Sequence, residues 1–131
     1  MPNLEVTNKS QNTQIAKEHI EEVFKQLVHG YQQTKPERHQ LALWEESKEF
    51  SILGVIEMFT TDIRGYTAQI IAGNNLENQQ EIVNNLEKLK IFDIPYFAEW
   101  YFSQKSDYPL IKNYIESLNY LRLLIIEYLP T

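Results

Sequence analysis

The chemical inventory of this chain is three histidines, eighteen acidic and twelve basic residues and no cysteine in 131 residues. His19, flanked by Glu18 and Glu22, is the one helical cluster of metal-ligating types. Carboxylate-bridged dimetal bundles place Glu-x-x-His on two helices and a further Glu on two others. Here the order is reversed, His19-x-x-Glu22, and occurs once. His19 also falls at the edge of an apolar stripe, where a boundary histidine is the simpler reading. Arg38-His39, beside Glu37, has the residue types of a nuclease or phosphotransfer site. A catalytic histidine needs an orienting partner and a second charged group nearby, and no histidine follows His39. These residues read as solvated charges near a helix start. No serine stands in a Gly-x-Ser-x-Gly setting, and Gly30, Gly54, Gly65 and Gly73 form no phosphate-cradling loop. The expectation is a protein that acts without catalysis, metal or cofactor.

Two features are better suited to binding. Arg122 interrupts the apolar run at the chain's end and flanks its helix's core stripe. An arginine so placed snorkels or pairs with a carboxylate, and Glu57 and Asp62 are the candidate partners in a structural ion pair. The segment Tyr96–Phe102 is dense in rings, including Phe97, Trp100 and Tyr101. Adjacent Trp100-Tyr101-Phe102 cannot all face one core, so some are exposed or covered by a partner.

The elements that position these groups are all helical. Residues 1–12 read as a flexible polar arm and residues 13–131 as a single all-α domain. From Thr13 to about Gln33, Ala16, Ile20, Val23, Phe24, Leu27 and Tyr31 form one stripe. Thr34-Lys35-Pro36 breaks it, since proline suits the first turn of a new helix. From Pro36 to Ala72 a second stripe, Leu41, Ile52, Ile56, Phe59, Ile63 and Ile70, keeps one phase and predicts one long helix. Glu45 and Lys48 on that stripe, and Phe50 off it, leave a break near Ser47–Gly54 as the alternative. On the opposite face Ser47, Gly54, Thr61 and Ala68 recur every seventh residue, extended by Gly65 and Ala72. This small-residue seam is expected to pack against another helix, so that Gly65→Leu or Ala68→Leu would overpack it. Gly73-Asn74-Asn75 ends the helix through the left-handed conformation these residues accept. Leu76–Ile91 is the third helix, with Ile82, Val83, Leu86 and Leu89 inward. Asp93 caps a short aromatic-rich fourth, and Ser106 or Asp107 caps a last helix that ends at Pro130. Its core stripe is Leu110, Tyr114, Leu118, Leu121, Ile125 and Tyr128, yet Leu123 and Ile126 interrupt its polar face. The expected architecture is an antiparallel bundle of four to five helices, with a long second helix.

Composition sets the partners. With 43% hydrophobic residues the chain can build a core without disulfides. The net charge of −6 is evenly spread: residues 1–66 carry seven basic and ten acidic groups, residues 67–131 five and eight. Nucleic acid and anionic membranes are disfavoured partners. The polar start has no signal-peptide apolar run, and residues 118–129, interrupted by Asn119, Arg122 and Glu127, are too short to span a bilayer; a soluble cytoplasmic protein is expected. The function expected is a non-enzymatic protein–protein interaction module (adaptor, regulator or inhibitor subunit), acting as a homodimer or docked on a larger partner. The expected interface is Gly54, Thr61, Gly65, Ala68, Trp100, Tyr101, Leu123 and Ile126. The alternative is a helical bundle that binds a small apolar or aromatic ligand through Tyr96–Phe102.

Overall fold

The computed structural model describes the backbone of residues 2–73 and 79–129, and the side chains of residues 16–73 and 79–129. Among them the structure is all-helical: α1 (Pro2–Gln33), α2 (Lys35–Glu45), α3 (Ile52–Ala72), α4 (Gln79–Lys88), α5 (Pro95–Gln104) and α6 (Pro109–Tyr128), with short 3-10 turns at Ile91–Asp93 and Lys105–Asp107. The helix α1 is drawn from Pro2; the arm expected at residues 1–12 falls where side chains are outside the described set.

The α1 stripe buries Ile20, Val23 and Leu27, α3 buries Ile56, Phe59, Ile63 and Ile70, and α6 buries Tyr114, Leu118, Leu121 and Ile125. These residues belong to one core, each apolar side chain contributing about 1.5–3 kcal/mol on burial. Helix α6 lies along α1 and also meets α2, α3 and α4. Leu110, expected inward, is 42% exposed, because the neighbouring Ile111, 1% exposed, is the residue of that turn that faces the core.

The helix expected across residues 36–72 is two helices. The apolar phase is kept, with Leu41 and Ile52 both buried, but residues 46–51 are an exposed non-helical link. Local chemistry makes the break. Ser51 takes an extended conformation and its Oγ accepts the Gly54 N–H at 2.9 Å, a side-chain N-cap. Glu45, at the end of α2, turns its carboxylate onto the same helix start and accepts Ile52 N–H at 2.7 Å and Leu53 N–H at 3.3 Å.

Three expected stop and start signals act differently. Gly73 ends α3 in extended backbone, φ −92° and ψ 137°, and not in the left-handed region; Asn74, Asn75 and Leu76 lie outside the described residues. Asp93 belongs to a 3-10 turn, and α5 starts after Ile94 with no side-chain cap. Neither Ser106 nor Asp107 caps α6, whose N-cap is Tyr108. The job falls to Glu37 of α2, whose two carboxylate oxygens accept Leu110 N–H at 3.0 Å and Ile111 N–H at 2.9 Å. Proline at the first turn of α2, α5 and α6 is as expected.

Candidate functional site

Each histidine and arginine singled out above has a structural occupation or a plain exposed position. The His19 Nε2 and Tyr120 hydroxyl share a hydrogen bond at 2.9 Å on the surface, and Glu22 is exposed. Among the described residues no group of three or more His, Asp or Glu could hold a metal ion. Arg38 closes the end of α1: its Nε donates to Thr34 Oγ1 at 2.9 Å, its Nη2 to the Tyr31 carbonyl at 3.3 Å, and its guanidinium lies 4.1 Å from the Tyr31 ring centre. Glu37 caps α6, as above, and His39 is exposed. The Arg38-His39 pair therefore offers one exposed imidazole beside an arginine already committed to the fold.

Arg122 is 6% exposed, yet it does not meet Glu57 or Asp62, both of which are exposed on α3. Its Nε donates to the Leu86 carbonyl at 2.6 Å and its Nη2 to the Glu87 carbonyl at 3.1 Å, the last turn of α4. A helix C-terminus carries unpaired carbonyls and partial negative charge, so a buried guanidinium is satisfied there without a carboxylate contact. Burial pushes its pKa below the usual arginine value, and the charges of Glu87 and Asp93 oppose that shift.

The expected interface residues separate. Gly54, Thr61, Gly65 and Ala68 are exposed on α3, and Ser47 lies in the link. Among the described residues the seam thus packs on no helix: a Cβ built on Gly65 meets nothing within 4 Å, so Gly65→Leu would not overpack those surroundings. Leu123 is 45% exposed and Ile126 half-buried. Trp100 and Tyr101 are 4% and 3% exposed, core residues of the chain itself, while Phe102 is the ring left outside at 62%. Helix α5 resolves the three adjacent rings by turning two inward and one out.

What Trp100 does line is a cleft. Between the α2–α3 link and α5 there is a cavity of about 370 Å³ whose walls include Trp44, Phe50, Tyr96 and Trp100. Phe50 stacks on Tyr96, centroids 4.4 Å apart at 14°, and Lys48 Nζ lies 4.9 Å from the Trp44 ring centre. Trp44 is 38% exposed and Phe50 52%. Exposed Lys48, Glu49 and Glu99 also line the cleft. The break after α2 builds this site, because a continuous helix would have carried Phe50 elsewhere.

One buried polar atom of Trp100 is unsatisfied. The Trp100 indole packs on Phe97 and Tyr108, centroids 5.8 and 5.6 Å away, and its buried Nε1–H has no acceptor, alone among buried side-chain polar atoms of the described residues. An unpaired buried donor costs about 1–3 kcal/mol. Neighbouring polar groups are committed: the Ser103 hydroxyl donates to the Glu99 and Trp100 carbonyls at 2.8 and 3.2 Å. The Tyr108 phenol is pushed above its ordinary pKa by burial and then by Asp107, Glu37 and Glu45.

Trp44 joins the Tyr96–Phe102 rings as a pocket-lining candidate on residue type alone, and the sequence signal for Phe50 is its place off the α2–α3 stripe. Comparison with protein-family models, curated proteins and solved structures finds no match to this chain.

Proposed function

We propose that this protein is a non-enzymatic interaction module that docks a partner chain on the aromatic cleft beside the α2–α3 link. The observation that carries the reading is the cleft wall: Trp44 and Phe50 are large rings left exposed around a concavity, with Tyr96 and Trp100 behind them. Tryptophan and tyrosine dominate binding hot spots because they present much apolar area with few rotamers to freeze. Large apolar groups gathered around one concavity mark an interaction site more often than scattered ones do. An adaptor, regulator or inhibitor subunit on an antiparallel bundle scaffold is the form this function takes, in a soluble, cytoplasmic setting; no helix among the described residues is long and apolar enough to cross a membrane.

A second reading, a small apolar or aromatic ligand in the same cleft, draws support from its volume of about 370 Å³, which lies within the usual range of small-molecule sites. Native mass spectrometry of freshly purified protein separates the two, since a co-purifying small mass favours the second.

The docking surface is tested with a benzoylphenylalanine photocrosslinker at Glu49, in the cleft, and separately at Ala68 and Leu123, on the outer faces of α3 and α6. The reading expects a discrete protein adduct from position 49 that Trp44→Ala abolishes. Adducts only from positions 68 and 123 would move the interface to the small-residue seam and α6, and a self-adduct there would make it a homodimer contact.

A further inference from the structure

We propose that the cavity between α2 and the start of α3 is a second binding site, independent of the cleft, that takes a phosphomonoester group. Its walls are Lys35, Arg38 and His39 of α2 and Leu53 and Glu57 of α3, around about 240 Å³. Lys35 stands three and four residues before Arg38 and His39, so the three bases share one side of α2. The acidic residue of the same turn is occupied elsewhere, because both Glu37 carboxylate oxygens accept N–H groups of α6. Arg38 is what distinguishes this face from a run of solvated charges. Its Nε donates to Thr34 Oγ1 and its Nη2 to the Tyr31 carbonyl, and the guanidinium lies 4.1 Å from the Tyr31 ring centre. These contacts hold the planar group in one place and leave Nη1 without an acceptor among the described residues. A guanidinium fixed before binding loses little rotamer freedom when its remaining N–H groups meet an oxyanion. Among the described residues Lys35, Arg38 and His39 form no ion pair, Glu57 across the cavity included. A phosphoryl group presents three strong acceptor oxygens, enough to meet the arginine, the ammonium and the imidazole N–H together, where a carboxylate has two. Glu57 is the one lining group of opposed sign, and it holds the affinity down. The event is binding alone, with no bond made or broken.

The test is a titration of the ¹⁵N-labelled full chain with phenyl phosphate at constant ionic strength, with sodium chloride and sodium acetate as reference salts. It is read from the backbone amides of residues 35–39 and 53–57 and from the His39 ring. The expected result is saturable movement of those signals with a dissociation constant of about 1 mM or tighter. Lys35→Ala should weaken binding about threefold, and Glu57→Gln, which removes the opposing charge, should tighten it by about the same factor. Arg38→Lys, which keeps the charge and loses the planar fork, should weaken binding about tenfold; if that variant fails to fold, the Lys35 and Glu57 variants still decide. Acetyl-Gly-phosphoserine-Gly-amide is the second probe. Tighter binding of this peptide supports the site and puts the phosphoryl group on a partner chain, and tighter binding of phenyl phosphate supports it with a free small molecule. Acetate binding as tightly as either overturns the phosphoryl assignment in favour of a carboxylate. Equal movement with chloride, no saturable movement at millimolar concentration, or unchanged affinity in both Lys35→Ala and Glu57→Gln overturns the site. Movement of the Trp44 indole signal in place of these would put the phenyl ring in the cleft and overturns it too.

Discussion

The ends of the helices and the aromatic cleft treat their polar groups in opposite ways. At the helix ends, charged side chains, Glu37 and Arg122 from distant parts of the chain and Arg38 and Glu45 from nearby, complete the caps with the sign the helix dipole favours. Glu37 and Glu45, both on α2, sit on the N-termini of α6 and α3, and Arg38 and Arg122 sit on the C-termini of α1 and α4. The segment Glu37–Glu45 is in effect a clamp that ties three other helices by their ends. A few residues beyond it, the cleft keeps rings in water and a buried indole donor without an acceptor. The contrast separates the part of the fold whose helix ends are satisfied within the chain from the part where, on the proposed reading, a partner docks. Stability should reside in the first region and binding in the second.

Breaking the first region has the largest expected effect. Arg122→Ala removes the guanidinium that holds the α4 carbonyls and empties its buried site, so unfolding free energy should fall by about 3 kcal/mol, measured by urea denaturation. A loss below about 1 kcal/mol would mean that water replaces the guanidinium without penalty.

Alkaline pH should bring a loss of the next size. Tyr114 shares a 2.8 Å hydrogen bond with Thr60 inside the core, and burial raises its pKa from 10.0 to about 12. Its stability contribution is complete below pH 10 and is lost as pH rises towards 12, because the unfolded chain releases the phenol proton first. The expected loss is roughly 2 kcal/mol, read as the difference between wild type and Tyr114→Phe across that window.

Removing one carboxylate cap is expected to cost about 1–2 kcal/mol. Glu37→Ala should destabilise α6 through its first turn, with faster amide exchange at Leu110 and Ile111 as the local signature. Glu45→Ala should do the same at Ile52 and Leu53.

Smallest of all are the effects in the cleft and on the seam. Phe50→Ser and Gly65→Leu both fall on exposed positions and should change stability by no more than about 0.5 kcal/mol. Phe50→Ser should nevertheless abolish capture at the cleft. A Phe50→Ser variant that unfolds more easily by more than about 1 kcal/mol would place this ring in the packed body and erase the contrast.

The sequence made the periodic part of this architecture legible. The stripes of α1, α3 and most of α6 are buried as their spacing requires, and the proline starts hold. What spacing could not show are contacts between residues far apart in the chain. Glu37 reads as a solvated charge until α6 arrives 73 residues later to place two N–H groups against it. Arg122 is legible as a charge flanking an apolar stripe, but the carboxylate pairing expected with Glu57 or Asp62 gives way to the carbonyls of a helix end, since any acceptor of the right polarity suffices. The seam on α3 was read as a packing face because small residues recur there, yet the core fills from the opposite side and leaves it exposed. The cleft is half legible: the ring density of α5 and the misfit of Phe50 both show in the sequence, but only the turn between α2 and α3 brings them together.

The contrast between a satisfied body and an unsatisfied cleft comes down to one proton, the Nε1–H of Trp100. Its solvent exchange and chemical shift in the free, ¹⁵N-labelled protein, measured against the exposed Trp44 indole, test it most directly. The account predicts a Trp100 signal upfield of that of Trp44 and exchanging far more slowly, as a buried donor without an acceptor must. A downfield Trp100 signal exchanging as fast as Trp44 would show that the indole already has an acceptor in water, and would contradict the contrast.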